Sequence, residues 1–203
     1  MRYDDSGVRV FLQLLLLCSA ATAATGAEAH LGKTLEQWRA QLGADNRVER
    51  LVAARSLGEM AIDGQPGALE AVTASLDDAD SAVRYWGAVA LGELGAKAKP
   101  AEQALRSRLD DPAPEVQVWS AYALVRMGDE RAGLQKLIEQ LANPEKGARL
   151  QAVTALDQLG EAASPAVPEI EAALDDEFDY VQRIARHALW TLGRRPCPYA
   201  ECP

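Results

Sequence analysis

Along the middle of the chain, apolar and small residues return at intervals of three and four. Val83, Trp86, Gly87, Ala90, Leu91 and Leu94 form one such set, and Val116, Trp119, Ser120, Ala123, Leu124 and Met127 form another in the same register. That spacing is the stripe along one face of a helix; a half-buried strand would alternate at every second position. The pattern recurs over residues 148–160 and 181–193, and each copy closes on glycine, at positions 95, 128, 160 and 193. The steps are therefore 33, 32 and 33 residues. A degenerate fifth copy lies upstream, where Leu57-Gly58-Glu59-Met60 precedes Leu91-Gly92-Glu93-Leu94 by 34 positions. A closing glycine accepts φ > 0 at little cost and marks where a helix stops.

Shorter apolar-periodic stretches fall between these helices, at 68–76, 101–109, 132–141 and 165–174. Pro100 and Pro165 stand at or just before a first turn, where a missing N–H does no harm. Each stretch ends in an acidic or proline-containing turn, such as Asp77-Asp78-Ala79-Asp80 or Asp110-Asp111-Pro112-Ala113-Pro114, expected to stop one helix and cap the next. The unit is helix, tight turn, helix, glycine. One such hairpin has too little apolar surface to stand alone, so neighbours must stack into a continuous core. The fold class predicted is all-α, an α-α superhelix of about five helix pairs over residues 33–194. Its first pair is atypical, with Glu49 where other copies have Val or Ala and a short amphipathic stretch at 34–42 that puts Leu35, Trp38 and Leu42 on one side. Arg194-Arg195-Pro196 closes the other end.

At these residues the chain resembles the HEAT-like repeat family, including the variants named after phycobilisome lyases. The motif is aspartate in the turn, then Val-Arg, then Ala-Leu-Gly-x-Leu-Gly, clearest from Asp80 through Val83-Arg84 to Leu94-Gly95. The resemblance implies a HEAT-type solenoid whose second helices line a concave surface, with an Asp-to-Arg ladder between repeats. Gln117 and Gln182 stand where the motif has Arg, so the ladder is expected to be incomplete. A narrower resemblance, carried by Val83-Arg84-Tyr85-Trp86 with Ala88 and Leu91-Gly92, is to HEAT modules attached to some secreted bacterial sulfatases. The sulfatase Cys-x-Pro-x-Arg or Ser-x-Pro-x-Arg motif does not occur in the chain.

Composition narrows the partner. Aromatics make up 5% of the 203 residues, and the formal charge is -9. An acidic chain is a poor match for a phosphate backbone or an anionic lipid surface, which argues against nucleic acid and membrane surfaces as partners. The apolar run Val10 to Leu17, broken by Gln13 and followed by Ala21-Thr22-Ala23, reads as a signal peptide over residues 1–23, with a linker at 24–32 and export to the periplasm or exterior. The run is too short to span a bilayer. Residues 195–203 form a tail whose Cys197 and Cys202 are expected to close a small disulfide ring in an oxidising compartment, with free thiols or a weak metal clip as alternatives.

Candidate chemistry is sparse. Of the two histidines, His30 falls in the linker and His187 stands alone on the last helix, read as an exposed helical residue. The repeated His-Glu pairs of iron-binding HEAT hydroxylases do not occur, so neither metal nor cofactor is expected. The acidic turns read as caps rather than as calcium ligands, because the EF-hand spacing does not occur. Trp86 and Trp119, equivalent in the repeat, read as core. The candidates for partner binding on the concave face are Arg84, Tyr85, Gln117, Tyr122, Arg149, Gln151, Gln182 and Arg183, which offer aromatic, guanidinium and amide groups. The function expected is a non-catalytic protein-binding scaffold of the cell envelope or exterior, with an extracellular polymer as another partner class. The alternative is an accessory module or partner of a secreted sulfatase or other hydrolase. A bilin lyase or isomerase, implied by the family name, conflicts with the export segment.

Overall fold

A computed structural model describes residues 29–196. The expected signal peptide, most of the linker and the Cys197/Cys202 tail lie outside the described residues. Among those described, the order is α1 Leu35–Leu42, α2 Arg47–Ile62, α3 Ala68–Ala74, α4 Ser81–Leu94, α5 Glu102–Ser107, α6 Pro114–Arg126, α7 Glu130–Leu141, α8 Lys146–Leu159, α9 Val167–Ala172 and α10 Asp179–Thr191. They make five successive pairs, and the second helices α2, α4, α6, α8 and α10 each pack on the next along the row.

Local chemistry sets the boundaries. Thr34 and Gln37 form a reciprocal capping box at the start of α1, and the Asn46 side chain accepts from the Val48 N–H to open α2. Gly95, Gly128, Gly160 and Gly193 all take positive φ at the ends of second helices, as the repeat pattern predicts. Three of the short first helices, α3, α5 and α9, are shorter than their apolar stretches, and two of them follow 3-10 turns. Residues Gly95–Ala101 and Gly160–Ala166 wind as 3-10 turns, with Pro100 and Pro165 inside them. Proline has no N–H to continue an α-helical ladder, and a tighter turn accommodates it.

The core repeats as faithfully as the sequence. Leu57, Leu91, Leu124, Leu156 and Leu189 hold one register on the second helices, and each is wholly buried. Facing them on the first helices are Trp38, Val72, Leu105, Leu137 and Ile170, also in one register and at most 3% exposed. These two registers recur in every pair, and stacking on its neighbours covers the remaining apolar surface of each pair. The ends break the pattern. Val83, Val116, Ala148 and Val181 are buried, whereas Glu49 at the same register is exposed. Ala54, Ala88, Ala121 and Val153 are likewise buried, whereas Arg186 at that register is exposed. The last four linker residues are ordered against the first pair: His30 and Lys33 exchange backbone hydrogen bonds, and the Trp38 indole N–H donates to the His30 carbonyl at 3.0 Å.

Candidate binding face

The seams between repeats use the Arg positions of the motif. Arg84 Nε donates to Asp111 Oδ2 at 2.8 Å and its Nη2 to Asp111 Oδ1 at 2.7 Å, while Nη1 reaches back to the Asp78 and Ala79 carbonyls. Arg50 makes the same bidentate pair with Asp78 of the next repeat, and Arg149 with Asp176. Each aspartate also closes its own turn, accepting from the backbone N–H two residues on: Asp80 for Asp78, Ala113 for Asp111, Phe178 for Asp176. The acidic turns therefore work mostly as turn closers and ladder acceptors; of them, Asp80 is a true N-cap, on Ala82. These contacts raise the guanidinium pKa of Arg50, Arg84 and Arg149, first through the hydrogen bonds to aspartate, and the Arg149 contact lowers that of the Asp176 carboxyl.

The ladder is incomplete, as its glutamines imply. Gln117 donates to the Asp111 carbonyl and accepts from Gln140, which in turn accepts from Asn143. Gln182 donates to the Asp176 carbonyl in the last repeat. This placement corrects half of the expected binding set. Arg84 and Arg149 are buried, and Gln117 and Gln182 are half-buried with their amides committed to the seams. The polar groups of Arg84, Arg149 and Gln117 are spent joining one repeat to the next, and those of Gln182 bond within its own repeat.

Of the other candidates, Tyr85, Tyr122 and Gln151 fall into a connected row across the second helices. Tyr85 meets Trp86 edge-on at 5.3 Å between centroids and Trp119 at 6.0 Å. Trp119 meets Tyr122 at 5.2 Å and donates its indole N–H to Gln151 Oε1 at 2.8 Å. Arg55 lies over the Trp86 ring at 5.0 Å and Arg126 over Tyr122 at 6.0 Å. The row thus links α2, α4, α6 and α8. Its rings are graded in exposure: Trp119 and Tyr122 are buried, Tyr85 and Trp86 half-buried. Trp86 therefore departs from the core position expected of it: one side of its ring lines an open groove, with Arg55 over it, instead of being covered by apolar neighbours. Burial, with the nearby Glu115 charge, raises the pKa of the Tyr85 phenol. Arg183 is exposed and stacks on Tyr180 at 5.5 Å, away from this row.

The sequence reading missed one arrangement. His187 is half-buried, with Nδ1 at 2.7 Å from Asp157 Oδ1 on the preceding second helix and its ring at 5.3 Å from Trp190. Asp157 sits one repeat after a position occupied by Val125 and Gly92, and a carboxylate arising there among small or apolar counterparts was the available signal. Among the described residues no group of three or more His, Cys, Asp or Glu side chains converges to hold a metal ion, and no helix is long and apolar enough to cross a membrane.

Comparison with known proteins agrees with this architecture. The family model of HEAT repeats matches residues 102–190, and that of the PBS lyase HEAT-like repeat matches residues 83–111. No curated protein matches the sequence. Among solved structures, a chain from the complex of CpcE and CpcF of phycocyanin lyase from Nostoc sp. PCC7120 is similar at 26% identity and a TM-score of 0.61, over 86% of this chain and 69% of that one. A designed armadillo repeat protein in complex with the peptide (KR)4 is similar at 20% identity and a TM-score of 0.54, over 78% of this chain and 81% of that one. Kap121p is similar at 20% identity and a TM-score of 0.57, over 80% of this chain and 19% of that one. At 20% identity the last two show the fold alone.

Proposed function

Because this chain belongs to the HEAT-like repeat proteins, we propose that it is a non-catalytic scaffold that holds a protein partner on the concave face of its second helices. The observation that carries this reading is the row of Trp86, Tyr85, Trp119 and Tyr122, flanked by Arg55, Arg126 and Gln151. Aromatic and guanidinium groups on a rigid frame are what protein-protein hot spots use, and the buried rings hold the half-buried ones in place. The location in the envelope or exterior rests on the apolar run Val10 to Leu17 and the small residues after it. The test is affinity capture from an extracellular or periplasmic extract with native chain and with Trp86→Ala/Arg126→Ala as baits. A partner retained by the first and lost by the second supports the scaffold; identical recoveries oppose it. Retention of the tagged full chain in the cytosol would remove the export reading.

The likeness to a chain of the phycocyanin lyase complex supports a second reading, in which the same face serves a lyase reaction. Transfer of a bilin to an acceptor protein, dependent on this chain, would replace the scaffold by an enzyme. The accessory-module reading rests on the Val83-Arg84-Tyr85-Trp86 resemblance alone.

A further inference from the structure

Among the described residues, the large apolar side chains that remain exposed are Leu31, Val48, Val52, Ile62 and Tyr180. Three of them lie on α2. At roughly 100° per residue, Val48, Val52, Arg55, Glu59 and Ile62 fall within an arc of about 80°. They form a single outward stripe on the second helix of the first pair. One repeat later, Trp86, Val89 and Glu93 occupy the registers of Val52, Arg55 and Glu59 on α4. Between the two stripes runs an open groove of about 170 Å³.

The groove exists because its floor is made of small residues. A Cβ placed on Gly58 would lie 2.6 Å from the Ala90 Cβ, so the two helices touch there, and the larger side chains of Ile62, Trp86 and Val89 stand above as walls. Its charges are unevenly satisfied. Arg55 lies over Trp86 and pairs with Glu59 at 3.5 Å, and the other Glu59 oxygen is 3.0 Å from His30 Nε2. Glu93, exposed on the rim, has no ionic partner among the described residues.

We propose that this groove seats a protein segment in which an aliphatic or aromatic side chain stands next to a lysine or arginine, a proposal that rests on the second-helix face being protein-binding. The apolar side chain fills the space between Ile62, Trp86 and Val89, removing apolar surface on both partners from water. The adjacent cation meets the Glu93 carboxylate, which an acidic or neutral segment would leave partly desolvated and unpaired. An acidic segment is further opposed by the net charge of -9.

The test uses a displayed library of random peptides, selected on the full chain, with each recovered peptide synthesised, labelled and measured by fluorescence anisotropy. The expected peptides carry Leu, Ile, Phe or Trp beside Lys or Arg. Their Kd should rise at least tenfold for Trp86→Ala and for Glu93→Lys, with Glu93→Gln between native and Glu93→Lys, and affinity should fall with added salt. Glu93 is exposed, so circular dichroism of Glu93→Lys should match the native chain and exclude misfolding as the cause. Recovered peptides without that pairing, or Kd values within twofold for both variants, would overturn the proposal. If peptides are weakened by Gln151→Ala and Arg126→Ala but not at the groove, the binding face stands and the groove falls. If no peptide responds to any of these substitutions, both fall.

Discussion

Replacing Arg84 by Gln, the residue that stands at the same register in two other repeats, tests what the inter-repeat ladder contributes. The Arg84 side chain is 8% exposed and that of Asp111 is 0% exposed. The substitution removes both hydrogen bonds to Asp111 and keeps one carbonyl contact, as Gln117 and Gln182 do. It leaves a fully buried carboxylate with the Ala113 N–H at 3.0 Å and Arg108 Nη1 at 3.8 Å. Breaking a buried pair by removing one partner costs about 3–5 kcal/mol, and the nearby Arg108 places the expected loss toward about 3 kcal/mol. Adding Asp111→Asn removes the stranded charge and recreates the Gln/Asn composition of the seam after α6. The double variant is therefore expected to be more stable than Arg84→Gln alone, with a coupling of about 2 kcal/mol in a double-mutant cycle. Urea unfolding would be followed by far-UV circular dichroism and by tryptophan fluorescence, since repeat arrays can lose two-state behaviour and the two transitions must coincide. A loss under about 1 kcal/mol for Arg84→Gln, or strict additivity in the cycle, would refute the view that the ladder avoids stranded charge.

Two glycines should respond to alanine with opposite signs in the same unfolding assay. A Cβ on Gly133 would lie 2.5 Å from the Ala121 carbonyl oxygen and 2.5 Å from Val125 Cγ2, so Gly133→Ala should destabilise by about 1–3 kcal/mol despite its better helix propensity. Gly147 has nothing within 4 Å, and Gly147→Ala should gain up to about 1 kcal/mol. Trp119→Ala should cost about 3–5 kcal/mol, because the ring is 7% exposed and wedged between neighbours, while the half-buried Trp86 should lose distinctly less stability and more binding. The Asp176 carboxyl sits below its ordinary range, chiefly through the Arg149 hydrogen bonds. A folded pKa below the unfolded one gives stability that is complete above about pH 4 and lost as pH falls through the folded value. The stability gap between the native chain and Asp176→Asn should therefore shrink on acidification; a gap constant with pH would contradict the assignment.

The fold was legible because one register carries it. The closing glycines and the leucines at 57, 91, 124, 156 and 189 recur at nearly constant spacing, and a register held through five copies leaves little room for another architecture. The candidate binding face was harder to read, since a helix wheel separates the apolar stripe from the rest but does not say which polar flank meets the next repeat. Arg84 and Arg149 flank the stripe as Tyr85 and Gln151 do, and only packing shows that the first two close on an aspartate some 27 positions ahead. The His187–Asp157 contact escaped for the same reason: its partners lie 30 residues apart, on different helices. Trp86 departs from its expected core position because an equivalent register in the repeat does not ensure equivalent burial: Trp119 is buried among rings, whereas Trp86 borders an open groove.

The seams carry a logic that is visible once the partners are known. In chain order the guanidinium position reads Arg50, Arg84, Gln117, Arg149, Gln182, and the acceptor position six residues before each reads Ala44, Asp78, Asp111, Asn143, Asp176. Each donor looks to the acceptor of the following repeat. The pairs are then Arg with Asp, Arg with Asp, Gln with Asn, and Arg with Asp. Where the cation is replaced, so is the anion, and the Gln140 amide bridges the neutral pair. Ala44 and Gln182, the members with no counterpart across a described seam, are both uncharged. A lone buried ion is far more costly than a neutral amide, so charge is present in this ladder only where both members are present. The two glutamines that depart from the motif thus follow the same rule as the arginines: one faces an asparagine, and the other, in the last described repeat, is paired with no carboxylate.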